Sequence, residues 1–315
     1  MKKMGLFLLL FLLTLLSLFV GVKDLSFVNL FVGNSEEKLV FFATRIPRTI
    51  SLLLAGSTLS ICGLIMQHLT QNKFVSPTTA GTMDSARLGI LVVMLFLPNA
   101  PLSVRSLVAF LFAFIGTMVF LALTKLLPAR NQLMLPLIGV MFGNIIGSIA
   151  TFFAYQFQLV QNMSSWLQGN FSTVMKGSYE LLYLTIPLFV VIYLFAYQFT
   201  IVGFGEDLAT NLGVNYRWMQ IFGVGLVALA SAVVLIMVGS IPFLGVVIPN
   251  LVSLIYGDNI KNTLSITAIS GSLFLVSCDI IARVIIAPYE VPVSVVVGVL
   301  GSILFVILLT RRTNA

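Results

Sequence analysis

Gly205-Glu206-Asp207-Leu208-Ala209-Thr210-Asn211-Leu212-Gly213-Val214-Asn215 is a polar stretch set between two long apolar runs, 182–202 and 218–238. Runs of that length are the size that crosses a bilayer, so the polar stretch between them belongs at an aqueous face. Glu206 and Asp207 suit the positive N-terminal end of a short helix. Gly213 can end that helix, and Asn215 can cap another beginning at Tyr216-Arg217. Two short helices joined by a glycine make a lever that another protein could grip. A solvated cytoplasmic loop is the plainer alternative, and spacing leaves both open.

The rest of the chain reads in the same terms. Hydrophobic residues make up 59% of 315 and charged residues 9%, with a mean hydropathy of +1.10. Apolar runs fall at 5–20, 45–68, 80–97, 103–126, 133–157, 182–202, 218–238, 242–256, 264–283 and 292–309. Backbone in lipid must satisfy its own hydrogen bonds, and the runs lack the alternation of barrel strands, so each is expected to be a helix. The expected fold is therefore all-α and polytopic, about ten transmembrane helices in a single domain over 1–315. Met1-Lys2-Lys3 before Gly5–Val20 imitates a signal peptide, but no small-residue cleavage site follows, so the run reads as a retained first helix.

With the N-terminus inside, Lys2, Lys3, Lys73, Arg87, Lys125, Arg130, Arg217, Lys261, Arg311 and Arg312 lie on the cytoplasmic side. Lys23, Lys38, Arg45, Arg48, Arg105, Lys176 and Arg283 lie outside, and ten against seven obeys the positive-inside rule. The net charge of +7 thus needs no nucleic-acid partner. Both termini are expected in the cytoplasm.

Most enzyme chemistries are excluded. The single histidine, His68, rules out histidine metal cages, and no Gly-Lys dipeptide exists for a phosphate-cradling P-loop. No catalytic residue and no metal ligand set is assigned. Cys62 and Cys278 fall within apolar runs and read as small hydrophobes.

Ionisable groups inside a membrane are costly and usually serve a purpose. Asp279 and Arg283, four apart, can pair on one helix face, and Asp84 and Arg87, three apart, can do likewise. Self-paired groups look more like structural or docking elements than a proton relay. Arg45 and Arg48, with Pro47 in the first turn, are expected to present two guanidiniums on an outward surface, with headgroup snorkelling as the alternative. Gly139, Gly143, Gly147 and Thr151 form a small-residue ridge that can serve close helix packing or line a passage.

Four blocks of sequence then point together. They are Arg45-Ile-Pro-Arg48 with Leu54-Ala-Gly56 and Gly63-Leu-Ile-Met-Gln67; Asn72-Lys-Phe-Val-Ser-Pro77 leading to Gly81; Gly205-Glu206 with Ala209 and Leu212-Gly213; and Ile241-Pro-Phe-Leu-Gly-Val-Val-Ile-Pro249. The last is followed by Asp279-Ile-Ile-Ala-Arg283, Glu290-Val-Pro292 and Gly301 to Phe305. In these blocks the chain resembles the iron-siderophore and vitamin B12 permease family (FecCD type) of bacterial ABC importers.

The resemblance implies a type II ABC importer permease fold in the bacterial cytoplasmic membrane. Such a subunit works beside a second permease, two ATP-binding subunits inside and an extracytoplasmic substrate-binding (lipo)protein outside. It binds no cofactor itself; ATP and Mg act on the partner ATPases. By resemblance, Glu206, Asp207, Ala209, Leu212, Gly213, Asn215 and Arg217, within coupling helices at about 205–218, dock the ATPase. Arg45, Arg48 and Arg283 would meet glutamates of the binding protein. Asn72, Phe74, Gln132 and Leu133 would form the inner gate, and Gly139, Gly143 and Gly147 would face solute. The expected cargo is a ferric siderophore, with haem or cobalamin as family alternatives and an ion-coupled secondary transporter as the rival class.

The chain departs from the family pattern in places. Pro249-Asn250 stands where Pro-His is usual, Ser294 where a glycine is usual, and Thr82-Met83-Asp84-Ser85-Ala86-Arg87 replaces a glycine-rich turn. The string from Asn72 to Arg87 looks similar to a catecholate-siderophore branch, whose members often pair with a non-identical permease. A heterodimer is therefore expected over a homodimer.

Overall fold

The structure is a computed structural model that describes residues 2–21, 35–126 and 134–313. Its elements are α1 (Lys2–Phe19), α2 (Ser35–Val40), a π turn (Phe41–Arg45), α3 (Ile46–Leu69), α4 (Thr82–Phe96), α5 (Leu102–Leu126), α6 (Met134–Gln156) and α7 (Val160–Leu167). A 3-10 turn (Glu180–Leu184) then leads to α8 (Thr185–Leu194), α9 (Ala196–Val202), α10 (Glu206–Asn211), α11 (Tyr216–Val238), α12 (Leu244–Tyr256), α13 (Ile260–Val284) and α14 (Val293–Thr313). Among the described residues the only strand-like pairings are isolated bridges, Gln168 with Ser240 and Ile286 with Tyr289.

All ten apolar runs fall on helices, but they do not cross alike. Among the described residues six helices are long and apolar enough to span a membrane, and the α8–α9 pair, bent by 64°, makes a seventh if it is one span. The apolar part of α1 and all of α12 are shorter. So is α4, whose 15 residues rise only about 22 Å.

Two of the short helices are completed by irregular chain that folds back into the bundle. Between α3 and α4, Asn72, Phe74, Val75, Ser76 and Ala80 are buried. An ideal Cβ on Gly139 of α6 would lie 2.0 Å from the Thr79 carbonyl oxygen, and one on Gly143 would lie 2.6 Å from Asp84 Oδ2. Both glycines stand well inside α6, so residues 79–84 sit near mid-depth. Likewise Phe243, at φ 61° just before α12, packs on Phe305 of α14 with ring centroids 6.1 Å apart. Non-helical backbone survives at membrane depth only when protein covers it, and here it is covered.

Helix α3 is the axis of the bundle. Every residue from Thr58 to Leu69 is buried, as expected for a helix that is apolar all round. It crosses α13 where Gly56 meets Gly271 and crosses α12 where Gly63 meets the Gly245 carbonyl. Pro249 supplies no N–H to that carbonyl, so the neighbouring helix can approach it closely. By contrast, only 22% of the spanning window of α6 and 28% of that of α14 are buried. These helices keep broad faces for lipid or other subunits.

Candidate functional site

The polar stretch folds as its local signals predict. Gly205, at φ 109°, precedes α10. Gly213 then turns the chain at φ 76°, with its N–H donated to Thr210 O and that of Val214 to Ala209 O. A glycine here avoids the left-handed penalty of a side chain. Asn215 Oδ1 accepts from Trp218 N at 3.1 Å and caps α11. Ala209 is fully buried, whereas Leu208 and Leu212 are 52% and 60% exposed. Glu206 and Arg217 approach to 3.8 Å and are largely exposed. The short helix is thus anchored by one small residue, and it and the turn into α11 set two leucines and the Glu206 and Arg217 charges outward.

The opposite end holds a buried charge cluster. Arg48 donates from Nε and Nη2 to Asp279 Oδ1, at 3.1 and 2.8 Å, and from Nη1 to Glu290 Oε2 at 2.7 Å. Arg283 bonds the other oxygen of Asp279, as the four-residue spacing predicts. Its second arm donates to the carbonyls of Ser17 and Val20, both at 2.9 Å. Arg45 also bonds Val20 O. Two guanidiniums therefore serve the carbonyl-rich C-terminal end of α1, where the helix dipole favours cations.

This corrects one expectation. Arg45, Arg48 and Arg283 are 8%, 7% and 4% exposed, not displayed on an outward surface. Their charge is taken up by Asp279, Glu290 and helix-end carbonyls, and burial without such partners would be prohibitive. The π turn fits the same site. Pro47 cannot serve the Ala43 carbonyl, which instead accepts from Lys176 N at 2.9 Å.

The irregular segment after α3 is pinned from α12 and the loop after it. Asn72 Oδ1 accepts from Phe74 N at 2.9 Å, and the Phe74 ring meets Phe305 edge-on at 6.0 Å. Asn250 Nδ2 donates to Lys73 O at 2.6 Å. The Lys73 ammonium bonds Asp258, which also accepts from Ser253. Burial works against ionising Asp258, but the Lys73 and Ser253 hydrogen bonds outweigh it and hold the carboxyl below the usual carboxylate range. His68 contacts the carbonyls of Leu64 and Asp258, a helix-end role. Sequence reasoning set Lys73 on the cytoplasmic side without a partner and passed over Ser253 and Asp258, whose only prior signal was polarity beside an apolar run.

The glycine ridge divides. Gly139 and Gly143 are buried against residues 79–84. Gly143 also edges an open cavity that Gly147 borders and that includes Asp84, Arg87, Asn144 and Ser148; Gly139 does not reach it. Gln132 and Leu133 lie outside the described residues. Among the described residues no group of acidic, histidine or cysteine side chains could hold a metal ion.

The chain matches the model of the FecCD transport family over residues 8–311. It is 48% identical to the petrobactin import system permease protein YclN of Bacillus subtilis, over 99% of both chains. It is 42% identical to the ferric-anguibactin transport system permease protein FatD of Vibrio anguillarum, over 95% of both. Its fold is similar to that of a metal-chelate type ABC transporter in an inward-facing conformation, with a TM-score of 0.80 over 98% of both chains at 24% identity.

Proposed function

We propose a function on one premise: this chain belongs to the FecCD transport family, whose model matches nearly its whole length. It is a permease of an ABC importer, a multi-pass protein of the cytoplasmic membrane, and not itself an enzyme. We take its cargo to be a ferric siderophore of the petrobactin or anguibactin kind, on the strength of the two relatives that share 48% and 42% of its residues. The chain binds no cofactor and no metal directly; the chelate passes as one solute.

The observation that carries the mechanism is α10 with the turn into α11, held at Ala209 and presenting Glu206, Leu208, Leu212 and Arg217 outward. A partner ATPase grips this element from the cytoplasm, hydrolyses ATP with Mg, and moves the bundle through it. Both termini then lie inside. The binding protein docks at the end carrying Arg45, Arg48 and Arg283. Because those arginines are already paired, a receptor glutamate reaching Arg48 exchanges with Glu290, whose side chain is 21% exposed. The uncovered faces of α6 and α14 support a second permease beside this one, which we take to be a non-identical chain. Asn72 and Phe74 close the cytoplasmic side of the passage.

The test is reconstitution with the candidate ATPase, partner permease and loaded binding protein. ATP hydrolysis should rise with the loaded receptor and fall to the unstimulated rate in Glu206→Arg, with membrane insertion unchanged. Normal stimulation in that variant would sink the coupling role.

A further inference from the structure

One ionic feature lies apart from the coupling loop and the buried cluster. Asp84 and Arg87 stand one turn apart on α4, joined by a single bond of 3.2 Å from Nη1 to Oδ1. Their side chains are 23% and 31% exposed. They open into a cavity of about 530 Å³ whose other walls are α6, including Asn144, Ser148, Thr151 and Tyr155, and α7 at Met163 and Leu167. The close approach of Asp84 to Gly143 sets the pair beside the middle of a spanning helix.

A charge pair and a row of polar side chains at that depth do not suit lipid contact. Nor does Arg87 resemble a settled structural arginine. Arg48 uses all three of its nitrogens, whereas Arg87 uses one and its buried Nε has no acceptor. Guanidinium groups carry five donors in a planar fork suited to carboxylates and similar oxyanions.

We propose that Arg87 and Asp84 form an anion subsite midway along the solute passage. Arg87 takes an anionic oxygen, carboxylate or catecholate, of the passing chelate, and Asp84 holds the guanidinium in place. This rests on the importer reading above. The fixed Asp84 charge keeps the site weak, which passage requires: a solute must be attracted enough to enter yet free to leave. Asn144, Ser148 and Thr151 supply neutral hydrogen-bonding groups on the facing wall.

The test uses the reconstituted complex carrying Ser148→Cys, with the buried Cys62 and Cys278 changed to alanine. Two thiol-specific methanethiosulfonate probes are compared, one with a sulfonate tail and one with a trimethylammonium tail. The ratio of anionic to cationic labelling rates should fall about tenfold on adding Arg87→Gln, a modest effect for charge focusing in a cleft. It should persist in Arg87→Lys and rise in Asp84→Asn. A ratio indifferent to Arg87→Gln, or a thiol that neither probe reaches with or without ATP, would overturn the subsite. Receptor-stimulated hydrolysis on the same preparations separates the two readings. Its absence in the parent complex counts against the importer, while an unchanged ratio in a hydrolysing complex counts against the subsite alone.

Discussion

Arg48 and Asp279, 231 residues apart in the chain, meet at 2.8 Å with the carboxylate wholly buried. Asp279 also holds Arg283, so one carboxylate ties α3 to α13 and, through Arg283, to the end of α1. Removing it leaves Arg283 buried without an anion and Arg48 with Glu290 alone. Asp279→Ala should cost about 3–5 kcal/mol, the usual penalty for breaking a buried pair. Thermal unfolding in detergent should show a clear loss, smaller in Asp279→Asn, which keeps an acceptor. An unchanged melting curve in Asp279→Ala would contradict a structural role.

Gly63 allows α3 to touch α12. A Cβ at this position would stand 1.8 Å from the Gly245 carbonyl oxygen, and backbone on both sides cannot give way cheaply. Gly63→Val should destabilise by at least about 1–3 kcal/mol, as overpacked cores do. Gly5→Ala, where nothing lies within 4 Å, should be neutral. Equal accumulation of both variants in the membrane would argue against this crossing.

The turn at Gly213 has φ 76°, which a β-branched residue adopts only at a cost of about 1–3 kcal/mol. Asparagine visits that region more readily. Receptor-stimulated ATP hydrolysis should therefore survive Gly213→Asn and drop in Gly213→Val. Asn215→Ala removes the α11 cap, at about 1 kcal/mol, and should weaken the same readout mildly. Full coupling in Gly213→Val would mean that the turn is not part of the transmission.

Asp258 has a folded-state carboxyl held below its ordinary range by Lys73 and Ser253. The sign follows from linkage: its contribution is fully present above the unfolded value of about 4 and is lost as pH falls through the lower folded value. Acidification from neutral should therefore leave this contact intact until the solution is strongly acid. The side chain is 58% exposed, so salt should weaken the pair at any pH. In Asp258→Asn the acid-dependent part of thermal stability should shrink; a wild-type profile in that variant would show that the pair contributes nothing.

The local features were legible because their causes are local. Apolar runs must be helical in lipid whatever they pack against, and Gly213 and Asn215 signal a helix stop and a helix cap through their own backbone and side-chain chemistry. Asp279 and Arg283 pair because four residues bring them to one helix face. The four sequence blocks carry the family, which the match over residues 8–311 bears out.

What those runs do in three dimensions was decided elsewhere. Helical periodicity does not say which helices cross, so it could not show Arg48 reaching Asp279 or Arg283 reaching the carbonyls of α1. The spacing of Arg45 and Arg48 put two guanidiniums on an outward surface because an unpaired guanidinium belongs in water; the fold supplied buried partners and reversed that balance. The same holds for α4 and α12, each too short to cross a bilayer unaided. Their crossings are completed by irregular chain, tolerable at that depth only because α3, α6 and α14 cover its backbone. Interactions spanning a few residues of sequence were enough to set the helices and their caps. The tertiary structure alone decided which charges are buried and where backbone leaves the helix inside the membrane, because both depend on partners distant in the chain.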